Sequence, residues 1–423
     1  MPALPRPAQT LRDTIGPGLI MAGAAIGVSH LVQATRAGAE YGYVMIWLLA
    51  AACLFKYPFL EYGPRYAAAM GESLLDGYRR LGTWALVLFG VVTLGTMFAV
   101  QASVTAVTAG LAGYVFGLTP DIRIWSLAVL LACVTLLLAG RYRLLDRTMK
   151  VIMATLAVAT VGAAGVALIA FDPAAPVVIE APALLTAGGL TFALALMGWM
   201  PIPLDVAVWH SLWTLERRDE SGHTPLLKDV QTDFNLGYAL SFGIALLFLL
   251  LGAVVMYGTG ERFPSGAVPF ATRLIELYTA TLGAWSGPVI GVIALTTMFS
   301  TTLAVTDAYP RVLQRFGQVS NARLREALSG PAGYRAGLLL VPAGALVVIT
   351  FFAENLTALV DLATVLSFLS APVLGYMNYR LVCSEAMPKE AQPGRALRFL
   401  SVAGLIFLCL FCALFVYAFF FLA

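Results

Sequence analysis

Gly16-Pro-Gly-Leu-Ile-Met-Ala-Gly23-Ala-Ala-Ile-Gly27-Val-Ser29-His30 opens an apolar run long enough to cross a bilayer, yet glycine and proline interrupt it. Met197-Gly198-Trp-Met200-Pro201-Ile-Pro203-Leu-Asp205-Val-Ala-Val-Trp-His210 repeats the pattern in the second half of the chain. Backbone freed by such residues at bilayer depth cannot be satisfied by lipid, so it is tolerated only where it faces protein or a water-filled cavity. A pair of interrupted spans in corresponding halves is the sequence mark of a transport site between them. Two of the three histidines, His30 and His210, fall beside the interruptions.

Working outward, the 423 residues are 60% hydrophobic and 12% charged, with a mean hydropathy of +0.85. That is far more apolar than a soluble domain and places the chain in the bilayer. Windows of about 20 apolar residues give eleven spans, near 14–38, 43–71, 84–117, 122–139, 148–171, 184–213, 234–259, 284–310, 335–353, 356–379 and 396–422. The first residues run straight into a full-length span, so no cleavable signal is expected. Cys53, Cys133, Cys383, Cys409 and Cys412 lack metal-ligand spacing and read as small apolar residues.

Basic residues set the orientation. With the N-terminus inside, twenty Lys and Arg residues, from Arg6 and Arg12 to Arg395 and Arg398, fall on the cytoplasmic side, and only Arg36, Arg123, Arg262 and Arg273 on the other. This is a strong positive-inside bias, and an odd span count leaves the C-terminus outside. The net charge of +3 reflects that bias rather than a nucleic-acid partner.

Five spans on each side of the acidic, proline-bearing loop Asp172–Pro182 imply an inverted repeat, 14–171 and 184–379, with 396–422 as an added helix. The loops Thr214–Asp233 and Gln314–Gly333 read as solvated connectors, with a short surface helix near Asn321–Leu328. No phosphate-binding loop points to an ATP-driven pump, and no His-Glu-x-x-His pair points to an enzyme.

Several stretches resemble the Nramp family of divalent-metal transporters, within the amino acid, polyamine and organocation superfamily. They are Gly16-Pro17 through Gly42-Tyr43, Arg141-Tyr-Arg-Leu-Leu-Asp146, His210-Ser211 and Val365-Leu-Ser-Phe-Leu-Ser370. The resemblance implies an all-α membrane protein of the leucine-transporter fold, with discontinuous helices 1 and 6. Its metal-binding residues do not carry over intact. The family's Asp-Pro-Gly-Asn falls on Gly27, Val28, Ser29 and His30, and its Met-Pro-His on Met200, Pro201 and Ile202. Matching His210-Ser211 instead shifts that register by about three residues, and the family's third-span acids fall on Met97 and Val100.

Ionisable groups at bilayer depth are costly and therefore functional candidates. His30, Asp205 and Met200 are candidate metal ligands, a set suited to a transition metal. Gly27, Ser29, Ile26 and Trp199 would complete a substrate site with freed carbonyls, unless His30 and Asp205 only hold the breaks together. His210 could pass protons, and Asp307, beside hydroxyls in the eighth span, could bind Na⁺ or a proton, or else pair with Arg65. Glu61 and Arg65, four apart, share a helix face and read most simply as an ion pair that could lie on the coupling path.

The expectation is therefore a secondary transporter of a bacterial cytoplasmic membrane, with no resident cofactor, carrying a divalent cation with H⁺ or Na⁺ coupling. The alternative cargo is a small organic solute, an amino acid or amine. A channel or non-transporting sensor fits less well, because a channel needs a continuous polar lining and the polar groups here gather at the breaks.

Overall fold

The computed structural model describes residues 16–119, 121–169, 184, 186–259, 263–328, 330–352 and 354–421, which are helical and contain no strand. Arg6, Arg12, Arg262 and the loop Asp172–Pro182 lie outside the described residues, as do the side chains of Arg141, Arg143, Arg147 and Lys150. "Inner" and "outer" below follow the orientation implied by the basic residues.

Span 1 is broken. Its inner half, α1 (Pro17–Ala25), begins with proline at the first helical position, where the missing N–H costs nothing. Amides at this end point to another span: Gly16 and Gly18 donate to the Asp233 carboxylate at 3.1 and 2.6 Å. That places a negative charge at the positive end of the helix dipole. Regular hydrogen bonding lapses at Ile26–Val28, and the outer half restarts as a π-helical turn (Ser29–Ala34) leading into α2 (Thr35–Tyr41). Gly42, at φ 66°, turns the chain into span 2, α3 (Met45–Met70).

A short helix, α4 (Leu74–Leu81), is fixed by a Ser73–Asp76 capping box and leads to span 3, α5 (Thr83–Phe116). Helical residues then run without interruption through α6 (Ile122–Ile169), where the sequence reading has two spans. Straight, these 48 residues would extend about 72 Å, more than twice a bilayer's hydrocarbon thickness. They do not. Trp125 lies beside Gly113, which faces Val268, and ten residues past Val268, about 15 Å along a helix, the Tyr278 hydroxyl reaches Thr160. Trp125 and Thr160 are thus far closer than the roughly 52 Å that 35 helical residues would span. The helical run is therefore bent inside α6, in keeping with the two spans, 4 and 5, of the sequence reading.

Span 6 is the second broken one, α7 (Ala187–Trp199) and α8 (Val206–Ser221) flanking an irregular Met200–Asp205 that contains a cis Met200–Pro201 peptide. Span 7 is α9 (Leu227–Met256). α10 (Ala267–Leu282), absent from the span reading, packs on α5 before span 8, α11 (Ser286–Ser320). α12 (Ala322–Ala327), N-capped by Asn321, is the expected surface helix. Spans 9, 10 and 11 are α13 (Pro331–Phe352), α14 (Leu356–Val382) and α15 (Arg395–Phe421). The expected connectors are shorter than their polarity implied, since helix persists to Ser221 and to Ser320.

Spans 1 and 7 are held backbone to backbone. A Cβ on Gly18 would strike the Asp233 carbonyl and one on Gly237 the Gly18 carbonyl, while Gly38 meets Leu249 O and Gly252 meets Thr35 O. Small residues allow such approach where lipid supplies no hydrophobic drive.

Candidate functional site

Between the two breaks lies a cavity with about 20 Å³ open to a water-sized body, room for roughly one water. Span 1 contributes Ala24, Ala25, Val28 and Ser29; span 6 contributes Trp199, Ile202, Pro203, Val206 and Trp209. Val100 and Val104 of span 3 and Thr301 and Val305 of span 8 close it. Its side-chain polarity is therefore limited to the Ser29 and Thr301 hydroxyls and the two indole rings, and no carboxylate, imidazole or thioether lines it.

Three carbonyls at the first break already have side-chain donors. Ser29 donates to Ala25 O at 2.5 Å, and Thr301 reaches Gly23 O at 2.9 Å and Ile26 O at 3.4 Å. His30 faces away from the cavity. Its Nε2 donates to the Ser241 carbonyl of span 7 at 2.8 Å, and Nδ1 meets the Ser29 hydroxyl at 2.7 Å, so both nitrogens of the buried ring are engaged. His30 thus serves here as a strut between spans 1 and 7, rather than joining Asp205 and Met200 in one ligand cluster. Among the described residues no three His, Cys, Asp or Glu side chains gather as a metal site.

At the second break the arrangement is different. Lys56 of span 2, with no exposure at all, donates from Nζ to Met197 O at 3.1 Å and Gly198 O at 2.9 Å. These are carbonyls at the C-terminal, electronegative end of half-helix α7. On the other side of the break Asp205 stands where α8 begins. Its Oδ2 accepts from the Tyr309 hydroxyl at 3.4 Å, and its buried Oδ1 has no hydrogen-bond partner. Trp199, locked by its indole N–H to Ser367 at 2.8 Å, and Gly198, pressed on the Thr364 carbonyl, tie this half-helix to span 10. Met200 is fully buried just beyond Trp199.

The remaining candidates lie toward the inner side or pair structurally. His210 is buried on α8 against Phe234 at 5.8 Å between ring centroids, and neither ring nitrogen has a hydrogen-bond partner. Asp307 is buried but fully engaged, with Arg311 at 2.7 Å, Tyr334 at 2.6 Å and Trp213 at 3.1 Å. Its partner is Arg311, and Arg65 instead closes on Glu61 at 2.8 Å, the ion pair their spacing predicts. Lys56 and Tyr309 are site residues that sequence reasoning passed over, and Thr301, one of the eighth-span hydroxyls, closes the first break rather than joining Asp307. Lys56 carried a usable signal, a lone lysine inside an apolar span.

The family model for "natural resistance-associated macrophage protein-like" proteins matches residues 18–418. An uncharacterised protein of Pasteurella multocida is 33% identical over 406 residues, covering 95% of this chain and 91% of its own. A divalent metal cation transporter of Chromohalobacter salexigens is 25% identical over 257 residues, 58% of each chain. The crystal structure of the Eremococcus coleocola manganese transporter superposes with a TM-score of 0.72 at 16% identity, covering 99% of this chain and 90% of the other. With a match over nearly its whole length and the two broken spans in place, the chain belongs to the Nramp family.

Proposed function

We propose that this protein is an alternating-access secondary transporter whose cargo is a divalent metal cation, received at the broken span 6 with Asp205 as its charged ligand. The observation that carries the reading is the buried Asp205 Oδ1, an acceptor with no hydrogen-bond partner beside freed backbone. A buried acceptor left open is expensive unless something visits it. One carboxylate with backbone and tyrosine oxygens is a harder donor set than His30, Met200 and Asp205 together. Family membership and a relative named as a divalent metal cation transporter support the cargo. His210, with two free ring nitrogens one and a half turns beyond Asp205, suits a proton-coupling role. Basic loops support insertion in a bacterial cytoplasmic membrane with the N-terminus inside.

The test is uptake of Mn²⁺, Cd²⁺ and Mg²⁺ into proteoliposomes, comparing wild type with Asp205→Asn. Saturable uptake reduced at least tenfold by the variant supports the reading, and no uptake of any of the three sinks it. A second reading, an organic solute, is favoured by the apolar, indole-walled lining of the cavity. Under that reading, amino acids or amines are taken up and excess metal does not compete.

A further inference from the structure

We infer that the Lys56 side chain is a tethered cation that occupies a cation site at the end of half-helix α7. Three observations converge on it. The nitrogen donates to two successive carbonyls, Met197 O and Gly198 O, at 3.1 and 2.9 Å. Those carbonyls belong to the last turn of a helix that stops in the middle of the protein, where about half a negative charge gathers. Asp205, across the break, is the carboxylate within electrostatic reach of that nitrogen.

Two converging carbonyls at a helix C-terminus, with a carboxylate acting through space, suit a small inorganic cation. In this chain the cation arrives on a side chain. The first break is closed differently, by the hydroxyls of Ser29 and Thr301, so among the described residues it is the span 6 break that a cationic side chain enters. The ammonium fixes the span 6 site at a net charge near zero, with Asp205 balanced, and removes any need for an alkali ion to hold the unwound backbone. This assignment rests on the broken span alone and stands whether the cargo is a metal or an organic solute.

Thermal unfolding of the detergent-solubilised full chain tests it, with wild type and Lys56→Gln compared in Na⁺, Mn²⁺ or N-methylglucamine. The wild type is expected to be indifferent to the choice of cation. Lys56→Gln is expected to lose several degrees of Tm in N-methylglucamine and recover them saturably in Na⁺ or Mn²⁺, with the recovery weakened when Asp205→Asn is added. A variant that responds no more than wild type, or one that folds in none of the three solutions, overturns the proposal. Lys56→Ala supplies the second arm, because it leaves a channel the length of the lysine stem. Rescue by n-propylammonium and not by n-propanol supports a role for the charge, and equal rescue by both overturns it. Failure of metal uptake would leave these outcomes unchanged.

Discussion

Thr301 shows how one hydroxyl can hold an interrupted helix. It reaches Gly23 O and Ile26 O, carbonyls that the break at Ile26–Val28 would otherwise leave buried without a donor. Thr301→Val is nearly isosteric but removes that donor, so we expect a cost of about 1–3 kcal/mol, seen as a lower Tm, while Thr301→Ser stays near wild type. Asp233→Asn keeps the side chain's shape but takes the charge from the α1 N-terminus. A loss of about 1 kcal/mol is expected there, measurable in the same unfolding assay. At this scale the sequence was partly legible. Gly and Pro announced the breaks and the i,i+4 spacing announced Glu61–Arg65. The orientation of His30 and the partners of Lys56 depend on spans 7 and 6, 211 and 141 residues away in the chain, and no local pattern encodes them.

Among the elements, the contact between spans 1 and 7 depends on glycine. Gly38→Ala would push a methyl group into the Leu249 carbonyl. Overpacking of this kind costs about 1–3 kcal/mol or more, and here we expect a reduced yield of monodisperse protein together with a lower Tm. Gly95→Ala in span 3 is the control, since nothing lies within 4 Å of its Cβ. There the better helix propensity of alanine makes the change neutral or stabilising by up to about 1 kcal/mol. The span cores were readable from hydropathy because length and apolarity suffice for them. Their ends were not. Residues 214–221 and 314–320 are polar, yet they stay helical where they project from the apolar layer, and α10 is too amphipathic to register as a span.

At the scale of the whole molecule, polar clusters lie on both sides of the small cavity. On the outer side Arg36 of span 1 pairs with Asp361 of span 10 at 3.0 Å, Gln33 reaches the same carboxylate at 2.9 Å, and the guanidinium lies 5.1 Å from the Phe192 ring of span 6. On the inner side Arg311 joins Asp307 and Glu216, both at 2.7 Å, and Arg315 pairs with Asp76 at 2.5 Å. The outer cluster ties span 1 to spans 6 and 10, and the inner one ties span 8 to α8 and α4, so each is expected to act as a latch on its side. With a cysteine placed at Val28 as reporter, Asp361→Asn should raise its labelling severalfold by a membrane-impermeant reagent added outside, and Asp76→Asn should do so from inside. Unchanged labelling in both would show that the clusters only stabilise the fold.

The smallness of the central cavity sets a thermodynamic condition on whatever is held there. An aqueous divalent ion carries a full shell of water, and a space for about one water admits it only after nearly all of that shell is shed. Mg²⁺ gives up its shell reluctantly, whereas larger and softer ions do so more readily. If the proposed cation passes this space on its way to Asp205, discrimination there falls to hydration energy, and the favoured ion is the one for which stripping and rewetting come closest to cancelling.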